Sequence, residues 1–263
     1  MLLRGISAPT VPPLWREGRT GLELAALLRD PVFRHVGVSG GQGRPVMLIP
    51  GFLAGDGSLG VMTMWLRRAG YRTRSAGTRL NVDCSGESLA RIEPRLADLV
   101  EAAGARATII GQSRGGGLAR TLAVRRPDLV NGVVALGSPL TDPLAVHPLV
   151  LLQVRAVGAL GSLGVPGLFR RDCMEGGCCR DFREAMETPM PDGVGFVSIY
   201  SRTDGIVDWQ TCLDPQAEQV EVGASHIGMA VNPAVYRTIG NALTRFGDAD
   251  ADAVAGDGLP AAA

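Results

Sequence analysis

TIIGQSRGGGLART, residues 108–121, decides how this chain is read. Thr108, Ile109 and Ile110 favour an extended strand, and they run straight into Gly111-Gln112-Ser113-Arg114-Gly115. Small residues and Leu118 then open a helix. A sharp strand-to-helix turn here lifts the Ser113 side chain away from the sheet. It also crowds backbone atoms, which glycine at 111 and 115 tolerates because it lacks Cβ. The helix that follows brings its N-terminal partial positive charge to the same spot, where it favours an alkoxide or oxyanion. In a chain with 36 glycines the five-residue pattern alone is weak, and a glycine-rich junction with an incidental serine produces it too. Its place between a strand and a helix is what argues for a nucleophile.

The same rhythm extends outward on both sides. PVMLIPGF reads as a buried strand, LGVMTMWLRRAG as a helix closed by Gly70, and YRTRSAG as a second strand. ESLARIEPRLADLVEAAG has helical spacing at Leu89, Ile92, Leu96, Leu99 and Val100, with Pro94 expected to start or kink it. Beyond the opening stretch, VNGVVALGSPL, GVGFVSIYSRTD and AEQVEVGASH read as further strands. A last helix, NPAVYRTIGNALTRFG, has Asn232 at its cap and Pro233 at its first position. Alternating strands and helices predict a mainly parallel sheet covered on both faces, with reactive groups on loops beyond the strands' carboxyl ends.

The 263 residues fit one large domain or two small ones, and nothing in the sequence demands two. Residues 1–44 are expected to be a loop-like N-terminal extension with one helical patch, GLELAALLRD. Residues 45–247 form the α/β domain, and the small acidic stretch 248–263 is expected to be a disordered tail. Lys plus Arg and Asp plus Glu each total 26. With no net charge and no basic block, nucleic acid is not an expected partner. No apolar run is long enough to span a bilayer, and no signal peptide is read at the N-terminus. A cytoplasmic address is the default, and the cysteines leave an exported form open.

A serine nucleophile needs a base, and the chain has three histidines, His35, His147 and His226. Only His226 follows the last expected strand, at the same sheet edge as Ser113. The base in turn needs a carboxylate to fix its tautomer. Asp204 stands at the exit of the preceding strand and is preferred, with Asp208 as the fallback, its other role being to cap the turn at Trp209. The chain order Ser113, Asp204, His226 is that of an α/β-hydrolase. The oxyanion donors are expected to be the backbone N–H groups of Arg114 and of Phe52, which follows Pro50-Gly51 after the first strand.

Together LIPGF, GQSRGGG, LGSP, YSRTDGIVDW and SHIGM resemble the serial landmarks of the α/β-hydrolase superfamily, and they are most similar to small bacterial triacylglycerol lipases and esterases. The similarity covers about residues 45–245. It implies an α/β-hydrolase fold with a sheet of about six strands and an acyl-enzyme mechanism without cofactor or metal. Ser113 would be the nucleophile, Asp204 the acid, His226 the base, and Phe52 and Arg114 the oxyanion donors. Many members carry His-Gly where this chain has Pro50-Gly51, and His or Tyr where it has Gln112. The implied substrate is a small-molecule or lipid ester, with transient contact at a lipid interface.

Residues 141–192 are too long for a bare loop and read as a helical cap or lid, with VHPLVLLQVRAVGALGSLGVPGLF as one or two apolar helices. The five cysteines, at 84, 173, 178, 179 and 212, allow a disulfide, a metal site or reduced thiols. The spacing matches no common zinc pattern and no histidine lies near, so no metal is expected. Adjacent Cys178 and Cys179 can hardly pair with each other, so a disulfide would use Cys173 or Cys212 as partner, and a bond to Cys212 would tie the cap to the loop carrying Asp204. Two other function classes share these residues: acyl transfer to an alcohol or thiol, and a non-catalytic binding protein on the same scaffold.

Overall fold

The computed structural model describes residues 13–256 except Gly176. Six strands, β1 (Pro45–Ile49), β2 (Arg72–Ser75), β3 (Ala107–Gln112), β4 (Val130–Leu136), β5 (Gly195–Tyr200) and β6 (Glu218–Glu221), form one sheet in the order β2-β1-β3-β4-β5-β6. Every adjacent pair is parallel. Eight helices accompany them among the described residues: α1 (Thr20–Arg29), α2 (Gly60–Arg68), α3 (Ser85–Ala103), α4 (Arg114–Arg125), α5 (Pro148–Ser162), α6 (Asp172–Glu175), α7 (Arg180–Glu187) and α8 (Pro233–Gly256).

The period-two alternation of strand side chains separates two cores. Val46 and Leu48 of β1 join Val134 and Leu136 of β4 on one face, where α1, α2 and α8 supply Leu27, Trp65 and Tyr236. Met47 and Ile49 join Val133 and Ala135 on the other, against Leu89 and Leu96 of α3 and Leu118 and Leu122 of α4. Both faces are therefore covered, as continuously apolar strands require. Among the described residues no helix is long and apolar enough to cross a membrane.

Three expectations need correction. Of the two alternatives expected for Pro94, starting its helix is not what is seen: α3 runs from Ser85 through Pro94 to Ala103. The proline removes one intrahelical bond, from the carbonyl of exposed Ala90, while buried Leu89, Ile92, Leu96 and Leu99 hold the helix down on either side. The chain from 248 does not become a tail there, because α8 continues to Gly256. Alanines favour the helix, and its acidic residues find arginines: Asp248 pairs with Arg44 at 3.4 Å and Asp250 with Arg106 at 2.6 Å. Residues 257–263 lie outside the described residues. Finally, all five cysteines are free thiols. Cys212 is buried in a small cluster with Val146 and Val207, whereas Cys178 and Cys179 face Cys84.

The segment 141–192 carries α5, α6 and α7. It is fixed to the α/β core at several points: His147 N–H donates to Ile206 O at 2.7 Å and Phe169 N–H to Val82 O at 2.8 Å. Arg120 of α4, almost fully buried, donates to the carbonyls of Ala185 at 2.7 Å and Thr188 at 3.0 Å, and pairs with Asp214 at 3.0 Å.

Candidate active site

Ser113 stands alone between β3 and α4 with φ 53° and ψ −124°. A serine at positive φ is strained and persists only where its surroundings fix it. Here Ser113 N–H donates to Leu136 O of β4 at 2.8 Å and its own carbonyl accepts from Gly116 N–H at 2.9 Å. The glycines around it have no room for a side chain. A Cβ on Gly111 would lie 2.3 Å from the Gly115 carbonyl oxygen, and one on Gly115 would lie 2.3 Å from the Ile49 carbonyl oxygen. The backbone contacts that the sequence pattern implies are thus present as close approaches of main chain to main chain.

The loops after β5 and β6 bring Asp204 and His226 together. His226 Nδ1 lies 2.6 Å from Asp204 Oδ2, and both residues are buried. Asp204 Oδ1 is taken by the backbone N–H groups of Ile206 and Val207, each at 2.8 Å. Gly137 at the end of β4 leaves space for the pair, since a Cβ there would come within 3.0 Å of Asp204 Oδ2 and 3.1 Å of His226 Nδ1. Asp208 does not reach His226; its carboxylate accepts from Gln210 N–H at 3.1 Å and caps the short turn Trp209–Cys212. His35 stacks on Trp65, and His147 caps α5. Gln112 donates from its side chain to the His226 carbonyl at 3.0 Å, so the residue before Ser113 also tethers the histidine loop.

Sequence reading missed the two carboxylates behind this pair. Glu17, in the 3-10 turn Leu14–Arg19, accepts from Gly205 N–H at 2.9 Å and His226 N–H at 3.0 Å through Oε1, and from Ile227 N–H at 2.8 Å through Oε2. One side chain from the N-terminal segment thereby joins the Asp204 loop to the His226 loop. Glu23 of α1 is buried and accepts from Ser225 N–H at 2.8 Å and Ser225 Oγ–H at 2.7 Å. Burial works against a charged His226 ring. The charge and hydrogen bond of Asp204, and the charge of Glu17, outweigh it and hold the proton above the ordinary histidine range.

The two expected oxyanion segments are braced against each other. Asn81 donates from its side chain to Pro50 O at 2.7 Å, and the Arg114 guanidinium donates to Asn81 O at 2.9 Å. Phe52 pairs with Asn81 in a short parallel bridge, and Arg114 is the first residue of α4. Ser113, Arg114, Phe52 and His226 all line one cavity of about 950 Å³, whose far walls include Phe169 and Met186 of the cap. The described geometry brings the residues singled out in the sequence to one chamber, apart from Asp204, which lies behind His226.

No family model matches the chain, and no curated protein matches it. Solved structures do. A lipase of Bacillus licheniformis, BlEst2 in its mature form, superposes with a TM-score of 0.59 at 13% identity, covering 78% of this chain and 94% of that one. A monoacylglycerol lipase of Paleococcus ferrophilus gives 0.55 at 18% identity, covering 80% and 97%. A thioesterase domain from the curacin biosynthetic pathway gives 0.51 at 14%, covering 79% and 93%. The chain has the α/β-hydrolase fold seen in these lipase and esterase structures.

Proposed function

We propose that this protein hydrolyses carboxylic esters through an acyl-enzyme on Ser113. The observation that carries the reading is a serine held at positive φ on a strand-to-helix turn, facing the same cavity as a buried histidine whose Nδ1 is bonded to a buried aspartate. Asp204 holds Nδ1 protonated, so that Nε2 is the free base. His226 takes the Ser113 proton as Oγ attacks the acyl carbon. The tetrahedral oxyanion is met by the backbone N–H groups of Arg114 and Phe52. His226 returns the proton to the departing alcohol, and water then releases the acid by the same steps in reverse order.

The cavity favours an aliphatic acyl group. Phe52, Leu140, Val150, Phe169, Phe182 and Met186 give it apolar walls. On α5, Leu149, Leu152 and Leu160 are well exposed, as is Leu163 at its C-cap, which suits contact with a lipid surface. The similar structures of a lipase and a monoacylglycerol lipase are consistent with this substrate class. A panel of p-nitrophenyl esters from acetate to long-chain acyl tests the reading. Turnover should rise with acyl length over part of the series and vanish in Ser113→Ala. Turnover that survives in Ser113→Ala would refute it.

A further inference from the structure

Four of the five cysteines converge on one point, where Cys84 meets Cys173, Cys178 and Cys179, three neighbours that are distant from it in sequence. The sulfurs of Cys84, Cys173, Cys178 and Cys179 all lie within 4.8 Å of one another. Cys84 Sγ is 3.3 Å from Cys179 Sγ and 4.0 Å from Cys178 Sγ, and Cys178 and Cys179 sulfurs are 3.7 Å apart. A tetrahedral zinc tetrathiolate, with Zn–S bonds of about 2.3 Å, places its sulfurs roughly 3.8 Å from one another. A disulfide would use only two of the four sulfurs and would not require the other pair to gather there.

We propose that Cys84, Cys173, Cys178 and Cys179 bind one zinc ion as four thiolates. Zn²⁺ displaces four thiol protons, leaving a site of net charge −2. Its surroundings suit that charge. Cys84 immediately precedes α3, whose N-terminus favours an anion. Arg170 N–H donates to Cys173 Sγ at 3.4 Å. The half-buried Arg114 guanidinium is bonded to Asp83 O and Ser85 Oγ, on either side of Cys84, and supplies a countercharge. Four protein ligands leave no open position, so the ion is structural.

Its place in the fold says what it holds. Cys84 belongs to the connection between β2 and α3, and the other three belong to the cap. Ser85, Cys173 and Met174 line the cavity beside Ser113. The ion would staple the cap to the α/β core at the cavity wall, as an attachment separate from the Arg120 anchor. The inference concerns metal content and does not depend on the hydrolase reading.

The test uses the full chain, purified without chelator from zinc-containing medium, with metal read by elemental analysis and native mass spectrometry. About one zinc per chain is expected, retained in Cys212→Ser and largely lost in Cys84→Ser and in Cys173→Ser. If those variants fold poorly, the wild type still decides. Stripping zinc and adding Co²⁺ should give the intense visible absorption of a tetrahedral cobalt thiolate, and restoring zinc should raise Tm by roughly 8–15 °C. A chain that carries no stoichiometric metal and gives no such cobalt spectrum would overturn the proposal. So would fewer than five alkylatable thiols under denaturing conditions, which would mean a disulfide. Iron with acid-labile sulfide in place of zinc would overturn the identity of the ion.

Discussion

The Glu17 carboxylate accepts the backbone N–H of His226 at 3.0 Å across 209 residues of sequence. The same carboxylate holds Gly205, next to Asp204, so the N-terminal segment clamps the two loops that carry the histidine and its carboxylate partner. Glu17 is a positioning residue that also contributes charge.

A pH profile reads that charge. The base must be neutral to accept a proton, and the His226 pKa is raised above the ordinary value of 6.5. The acid limb of kcat/KM is therefore expected above pH 6.5. Glu17→Gln removes one of the charges that raise it, so the limb should move to lower pH. A limb that stays where it was would show that Glu17 acts by shape alone. For stability the sign follows from tighter proton binding in the folded state. The His226 contribution is fully present below about pH 6.5 and is lost as pH rises through the folded pKa.

The two aspartates separate by position. Asp204→Asn should lower kcat by about 10³–10⁴-fold, because the imidazole loses the partner that fixes its tautomer. Asp208→Asn should leave kcat within a few-fold, since Asp208 only caps the Trp209–Cys212 turn. Steady-state kinetics on both variants check this, and equal losses would remove Asp204 from its assigned role.

At Gly115 a methyl group would meet the Ile49 carbonyl oxygen at 2.3 Å, a backbone atom that cannot turn aside. Gly115→Ala is expected to cost about 3 kcal/mol or more in denaturant unfolding. Gly57→Ala, where nothing lies within 4 Å, should stay within about 0.5 kcal/mol. A mild Gly115→Ala would mean that β1 and α4 are not packed this closely.

The legible part of the molecule is what local pattern dictates. Val46 to Ile49 and Val133 to Leu136 are continuously apolar because both faces of their strands are buried, so strand identity shows in the sequence. The contact between Asp204 and His226 is legible because each follows its strand at the same sheet edge. What stayed hidden depends on distant packing. Glu17 and Glu23 look like ordinary acidic residues of a leading segment until α1 is docked on the loop after β6. Cys84 shows no metal spacing with Cys173, because only the fold brings the connection after β2 beneath the cap. At the other end, the acidic composition after Asp248 reads as a tail because the arginines it meets, Arg44 and Arg106, are far away in sequence.

The cap anchor at Arg120 is a buried charged pair. Arg120→Met leaves Asp214 buried without its partner and should cost about 3–5 kcal/mol. Adding Asp214→Asn should recover part of that loss, with a coupling energy of about 1–3 kcal/mol in a double-mutant cycle of unfolding free energies. Strictly additive losses would mean that the two side chains do not act as a pair.

The most direct test of the account is covalent labelling with a fluorophosphonate, followed by intact-mass analysis and peptide mapping. One adduct per chain is expected, on Ser113, absent in Ser113→Ala and greatly slowed in His226→Ala. A well-folded wild type that takes no label, or takes it at another residue, would contradict the assignment of Ser113 as the nucleophile.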